Sequence, residues 1–268
     1  MSRINEKFSE LHEKDERALI AYLMAGFPSE KATLAAIKGI VKGGADIIEI
    51  GFPFSDPLAD GPVIQNASMI SLERGTKVEN FFRLVKKIRS LTDIPLVLMT
   101  YSNILYHVGY QKFISKAKNA GIDGLILPDM SVEEAQDYLK AAKGKTDTIF
   151  LISPNTSKER IKKILKITSG FLYLVAVYGT TGVKTGIKNY TLKAIKEVKN
   201  QNNKKIPVGV GFGVSTAKDV RKYITSGADA VIVGSAFLKL IEQTPQNKIE
   251  QKVAEFTKSL KKETKLRK

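Results

Sequence analysis

Short β-branched runs alternate with helix-period stretches along the whole chain, and that alternation leaves few folds open. Candidate strands fall at residues 19–24, 46–50, 96–100, 124–127, 148–152, 172–175, 207–210 and 230–233, each a short apolar run bounded by turn residues. Between them lie amphipathic stretches at 30–42, 78–91, 111–119, 132–142, 158–167, 191–201 and 217–226, long enough to cross back over a parallel sheet. Three strand entries repeat one another: Gly44-Ala45-Asp46-Ile47-Ile48, Gly121-Ile122-Asp123-Gly124-Leu125-Ile126 and Gly227-Ala228-Asp229-Ala230-Val231-Ile232. In each, glycine ends a helix and an acid followed by apolar residues opens a strand. Eight such units predict an α/β chain folded as a (β/α)8 TIM barrel, with an extra amphipathic helix at the N-terminus. No Gly/Ser linker or low-complexity block interrupts the series, so residues 1–268 are expected to form one domain. A doubly wound open sheet stays in play, because strand order is not written in periodicity.

At 268 residues and 43% hydrophobic, the chain has material for such a core. It contains no cysteine, which removes disulfides, thiol nucleophiles and thiolate metal sites. No apolar stretch reads as a secretory signal or a membrane span, so a soluble, cytoplasmic protein is expected, without a membrane partner. The net charge of +16 raises the question of nucleic acid. Its lysines are scattered over helix patterns and a basic tail from Lys258 to Lys268, with no stacking-aromatic motif or zinc-finger spacing. The expectation is solvated helix faces, a frayed tail and no nucleic-acid partner.

Glu49 stands out from this background. It interrupts the apolar run Ile47-Ile48-Glu49-Ile50, where a strand covered on both faces has no cheap place for a charge. Strand alternation puts Ile48 and Ile50 on one face and Ile47 and Glu49 on the other, toward the barrel axis. Burial there favours the protonated carboxyl, which makes a usable general acid and base. A core glutamate paired with a lysine or a backbone donor is the competing interpretation. The loop that follows, Pro53-Phe54-Ser55-Asp56-Pro57-Leu58-Ala59-Asp60-Gly61-Pro62, carries a second candidate, Asp60, which in the simpler alternative merely enters a helix.

Two glycine loops offer an anion grip: Gly209-Val210-Gly211-Phe212-Gly213 after strand seven and Gly234-Ser235-Ala236 after strand eight. Each opens into a helix pattern, where free backbone amides and the helix N-terminus suit a phosphate; tight turns alone would also account for the glycines. The segment from Tyr178 to Gly186 is small-residued and polar, as a mobile lid or a plain connection would be. His12 and His107 lie far apart in sequence, without ligand spacing or a Ser-His-Asp order, so no metal site is expected. No Walker motif is present, and the glycine loop departs from the dinucleotide fingerprint.

The seventeen residues from Glu49 to Gln65, EIGFPFSDPLADGPVIQ, closely resemble the signature of the tryptophan synthase α subunit family. The likeness extends over nearly the whole chain, through Met99-Thr100-Tyr101-Ser102-Asn103, Pro128-Asp129 with Glu133-Glu134, Tyr173, Gly179-Thr180-Thr181-Gly182, Gly211-Phe212-Gly213-Val214-Ser215 and Gly234-Ser235-Ala236. It implies a (β/α)8 lyase that cleaves indole-3-glycerol phosphate to indole and glyceraldehyde 3-phosphate in tryptophan biosynthesis. It further implies Glu49 as acid/base and Asp60 as the carboxylate facing the indole N–H. Tyr173, Thr181, Phe212 and Tyr101 become substrate contacts, with Thr181 meeting Asp60 on loop closure, and Gly182, Gly211, Gly213, Gly234 and Ser235 hold the phosphate. The implied partner is the β subunit in an α2β2 assembly, with pyridoxal phosphate in that partner and no cofactor in this chain. Two departures stand out: Met130-Ser131, where the family commonly has an apolar residue and proline, and Tyr178, where it usually has a small residue. A phosphosugar isomerase on the same barrel and a catalytically silent activating subunit are the rival readings.

Overall fold

The computed structural model describes residues 1–176, 189–203 and 205–266. Among the described residues nine strand segments form one sheet: β1 (Ala18–Met24), β2 (Ile47–Gly51), β3 (Leu96–Met99), β4 (Gly124–Ile126), β5 (Asp147–Ile149), β6 (Leu151–Ile152), β7 (Leu172–Val175), β8 (Val208–Gly211) and β9 (Ala230–Val233). Every pairing is parallel, and the order is β5-β4-β3-β2-β1-β9-β8-β7-β6. The two outer segments are separated only by Phe150. The strand expected at 148–152 is therefore one stave that pairs with β4 through its first half and with β7 through its second. The carbonyls of Thr148 and Phe150 accept from Ser169 N–H at 2.8 Å and Tyr173 N–H at 3.0 Å, which draws the ring closed. With β1 hydrogen-bonded to β9, the open doubly wound alternative is excluded.

The helices that cover this ring are α1 (Arg3–Glu13), α2 (Glu30–Gly43), α3 (Pro62–Glu73), α4 (Val78–Arg89), α5 (Ser102–Val108), α6 (Tyr110–Ala120), α7 (Gln136–Ala142), α8 (Lys158–Ile167), α9 (Asn189–Gln201), α10 (Ala217–Thr225), α11 (Ser235–Glu242) and α12 (Ile249–Lys261). Strand alternation sorts the core into two layers. Ala18, Ile20, Tyr22 and Met24 of β1 point inward with Ile47, Val97, Met99, Ile126, Ile149 and Tyr173. Leu19, Ala21 and Leu23 point outward with Ile48, Ile50, Leu96 and Leu98, against Phe81, Phe113 and the other apolar helix residues. Each fully buried leucine, isoleucine or phenylalanine contributes roughly 1.5–3 kcal/mol. The expected N-terminal helix, α1, closes the lower end of the barrel with Ile4, Phe8 and Leu11.

The repeated glycine-to-acid step has a further meaning in three dimensions. Gly44, Gly121 and Gly227 sit at φ of 86°, 97° and 101°, the left-handed region that ends a helix without a Cβ clash. The aspartate two residues later then clips the neighbouring strand in both directions. Asp46, Asp123 and Asp229 accept from the N–H of Leu19 (2.7 Å), Leu96 (2.9 Å) and Val208 (2.8 Å). Their own N–H groups return bonds to the carbonyls of the same three residues. Lys261, Arg89 and Lys199 balance the three charges at 2.8, 2.8 and 2.7 Å.

Three expectations need correction. The basic tail is not frayed through Leu266: α12 packs on α2, Lys265 forms an antiparallel bridge with Glu16, and Lys261 joins Asp46 and Glu16. The buried stripe Ile249, Val253, Thr257 and Leu260 holds α12 down, a pattern that its lysines obscure in sequence. The helix expected from residue 132 starts only at Gln136, because Ser131 makes a local turn with Glu134, accepting its N–H at 3.3 Å and donating to its carboxylate at 2.7 Å. Finally, α3, α5, α11 and α12 add to the helical stretches read from periodicity.

Candidate active site

Glu49 lies inside the barrel as its parity requires, opposite Tyr22 on one side and Val97 on the other. It is 1% exposed, and its Oε2 has no hydrogen-bond partner among the described residues. Among the described residues neither a core lysine nor a backbone donor satisfies this oxygen, so the paired core glutamate finds no partner there. Burial, and next the negative charge of Asp60, push its carboxyl up to about 8.

Asp60 comes from the loop after β2. It is 3% exposed and does not cap α3: Gly61 occupies the cap position, without a side-chain bond, and proline follows. Its Oδ2 accepts from Tyr101 Oη at 2.9 Å, while Oδ1 has no partner among the described residues. Burial raises its carboxyl to about 6, against the lowering effect of the Tyr101 bond. Both carboxyls line one cleft, each with an oxygen that has no partner among the described residues; with Glu49 raised to about 8 and Asp60 to about 6, their proton affinities are set apart as acid/base work needs.

The cleft over them is walled by Ile64, Met99, Ile232 and the rings of Tyr22, Tyr173 and Phe212. Gly213, Gly234 and Ser235 line it as well. Phe212 and Gly213 take successive left-handed conformations, φ 70° and 75°. For phenylalanine that costs roughly 1–2 kcal/mol, which neighbouring structure must offset. The turn brings the Phe212 ring edge-on to Tyr173 at 5.9 Å. Gly234 begins α11 with no side-chain cap, which leaves first-turn amides and the positive end of the helix for an anion.

Not every expected residue is placed as expected. Gly211 ends β8 with its open side against the Tyr173 hydroxyl, where a Cβ would intrude within 3 Å. The glycine makes room for a phenol as much as for a phosphate. Tyr101 does not line the cleft; it lies behind Asp60. Thr181, Gly182, Tyr178 and the proposed lid lie outside the described residues. Met130 packs on the outer core, and Asp129 anchors the start of α5 through Ser102 N–H at 2.9 Å and Oγ at 2.6 Å.

Tyr22 was missed by sequence reasoning. It is the third inward residue of β1, its hydroxyl fits over Gly51 as that of Tyr173 fits over Gly211, and its ring reaches Gly234. The available signal was a polar aromatic at an inward position near the carboxyl end of a strand. Among the described residues no group of three or more His, Cys, Asp or Glu is placed to hold a metal, and no helix is long and apolar enough to cross a membrane.

Comparison with known proteins bears on this arrangement. The family model for the tryptophan synthase alpha chain matches residues 8–266. The tryptophan synthase alpha chain of Methanosarcina acetivorans is 47% identical over 260 residues, covering 97% of this chain and 93% of the relative. That of Methanosarcina barkeri is 49% identical over 242 residues, 90% of each. Among solved structures, a Mycobacterium tuberculosis tryptophan synthase chain superposes with a TM-score of 0.90 at 32% identity, covering 99% of both chains. A chain of the Pyrococcus furiosus tryptophan synthase complex gives 0.84 at 35% identity, covering 92% of this chain and 98% of its own.

Proposed function

This chain belongs to the tryptophan synthase alpha chain family, and we propose that Glu49 and Asp60 carry its reaction, the cleavage of indole-3-glycerol phosphate to indole and glyceraldehyde 3-phosphate in tryptophan biosynthesis. The supporting observation is the pair itself: a glutamate 1% exposed, with an oxygen that has no partner among the described residues, and a second buried carboxylate, both lining one cleft with residues of two glycine loops.

The chemistry is a retro-aldol cleavage. The Glu49 carboxyl, protonated at neutral pH, gives its proton to indole C3, and the positive charge that develops on the ring nitrogen is met by the Asp60 carboxylate. The Glu49 carboxylate then takes the proton of the glycerol hydroxyl next to the breaking bond. As the aldehyde carbonyl forms, the C–C bond electrons return to the ring, indole leaves, and Glu49 is again protonated. Gly213, Gly234 and Ser235, with Gly211 and Gly182, hold the phosphate by backbone amides and the α11 N-terminus. Tyr173 and Phe212 pack on the substrate, and Thr181 meets Asp60 on closure of its loop.

The partner is a β subunit that holds pyridoxal phosphate, in an α2β2 assembly, and the setting is cytoplasmic. Leu58 on the Asp60 loop and Tyr106 on α5 are 85% and 76% exposed, apolar surface that such a partner would cover. The test is indole release by the purified chain, with and without a β subunit. Release in both, faster with the partner, is expected; none in either would overturn the assignment.

A further inference from the structure

We infer that Tyr101 is a positioning residue for this reaction: from behind the acidic loop it aims the Asp60 carboxylate into the cleft. The inference rests on the reading that Asp60 faces the charged ring.

Tyr101 is 4% exposed at the end of β3, and its hydroxyl is used twice. It donates to Asp60 Oδ2 at 2.9 Å and accepts from Ala59 N–H at 3.2 Å. A backbone N–H only donates, so the single phenolic proton is committed to Asp60. The Tyr101 ring is itself fixed, stacked on Phe54 with centroids 5.0 Å apart. Phe54 in turn is pinned through both backbone groups, its N–H to Ser68 Oγ at 2.8 Å and its carbonyl from the same hydroxyl at 2.9 Å. Gln65 holds the Asp60 carbonyl at 2.9 Å. These contacts hold both ends of the loop while its tip, with Leu58, stands out in solvent.

Among the described residues Tyr101 is the partner of the Asp60 side chain, and it takes one oxygen, leaving Oδ1 for substrate. Among the described residues, the titratable groups interacting with the two carboxyls are Tyr22 on β1, Tyr173 on β7 and Tyr101 itself, none of them cationic. The phenol is therefore the group that favours ionised Asp60 against burial.

Tyr101→Phe keeps the ring and removes only the hydroxyl. The expected loss is about tenfold in kcat with KM changing less than about threefold, the size of one lost hydrogen bond to a charged group. The acid limb of the kcat profile moves up by about one pH unit while the alkaline limb stays. In an Asp60→Asn background the same substitution adds little further loss. An unmoved acid limb, a rise in KM with kcat preserved, or equal losses in both backgrounds would each overturn the inference. Full turnover by Asp60→Asn alone would instead remove Asp60 from the chemistry, a separate failure.

Discussion

Replacing Glu49 by glutamine is expected to inactivate the protein and stabilise it at the same time. The glutamine keeps the size and can hydrogen-bond, but it cannot carry a proton, so indole release falls by about 100-fold or more. The stability effect follows from the carboxyl being raised from 4.5 to about 8 by burial and by Asp60. Between those two pH values the unfolded chain has released this proton and the folded chain still binds it, so unfolding releases a proton and wild-type stability falls as pH rises. At about 1.36 kcal/mol per pH unit, the wild type loses about 3 kcal/mol by pH 7 and about 5 kcal/mol above pH 8, relative to the variant. Glutamine does not titrate, so its own cost of burial is the same throughout and cancels in the comparison. Urea unfolding of both proteins at pH 5 and pH 9 reads the difference directly. A stability gap that is the same at both pH values would refute the argument that Glu49 is buried without compensation, whatever the activity shows.

The pH profile of kcat/KM is expected to be a bell, with an acid limb near 6, where Asp60 loses its charge, and an alkaline limb near 8, where Glu49 loses its proton; limbs that stay put in Asp60→Asn and Glu49→Gln would assign them to other groups. Gly213→Val introduces a side chain at φ 75°, costing roughly 1–2 kcal/mol of stability, and it should weaken glycerol phosphate binding by about tenfold or more. Calorimetry on the folded variant measures this, and unchanged affinity would move the phosphate elsewhere. Asp123→Ala deletes the acceptor of Leu96 N–H and strips Arg89 of its buried partner, so the urea midpoint should drop by the equivalent of about 3–5 kcal/mol. A loss below about 1 kcal/mol would mean that the clip contributes little.

The fold was legible in the chain because its signals are local and periodic. The alternation of strand and helix runs, the left-handed glycines at 44, 121 and 227, and the inward parity of Glu49 each depend on a few neighbouring residues. Other features depend on residues far apart in sequence, and only the closed ring brings them together. The Asp60 carboxylate accepts from Tyr101, 41 positions away, and lines one cleft with Glu49, and Tyr22 joins the site because β1 lies between β9 and β2. The basic C-terminus read as solvated from its charge, yet Asp46 and Glu16, placed at the foot of the barrel by other elements, give Lys261 partners and turn the tail into structure. The sequence by itself determined the strand and helix alternation, the inward parity of Glu49 and the glycine ends of helices at 44, 121 and 227, since period and turn chemistry are properties of short segments. The tertiary structure decided which polar groups have partners and which carboxyls are left without one, because burial and the proton affinities that follow exist only once distant segments have packed.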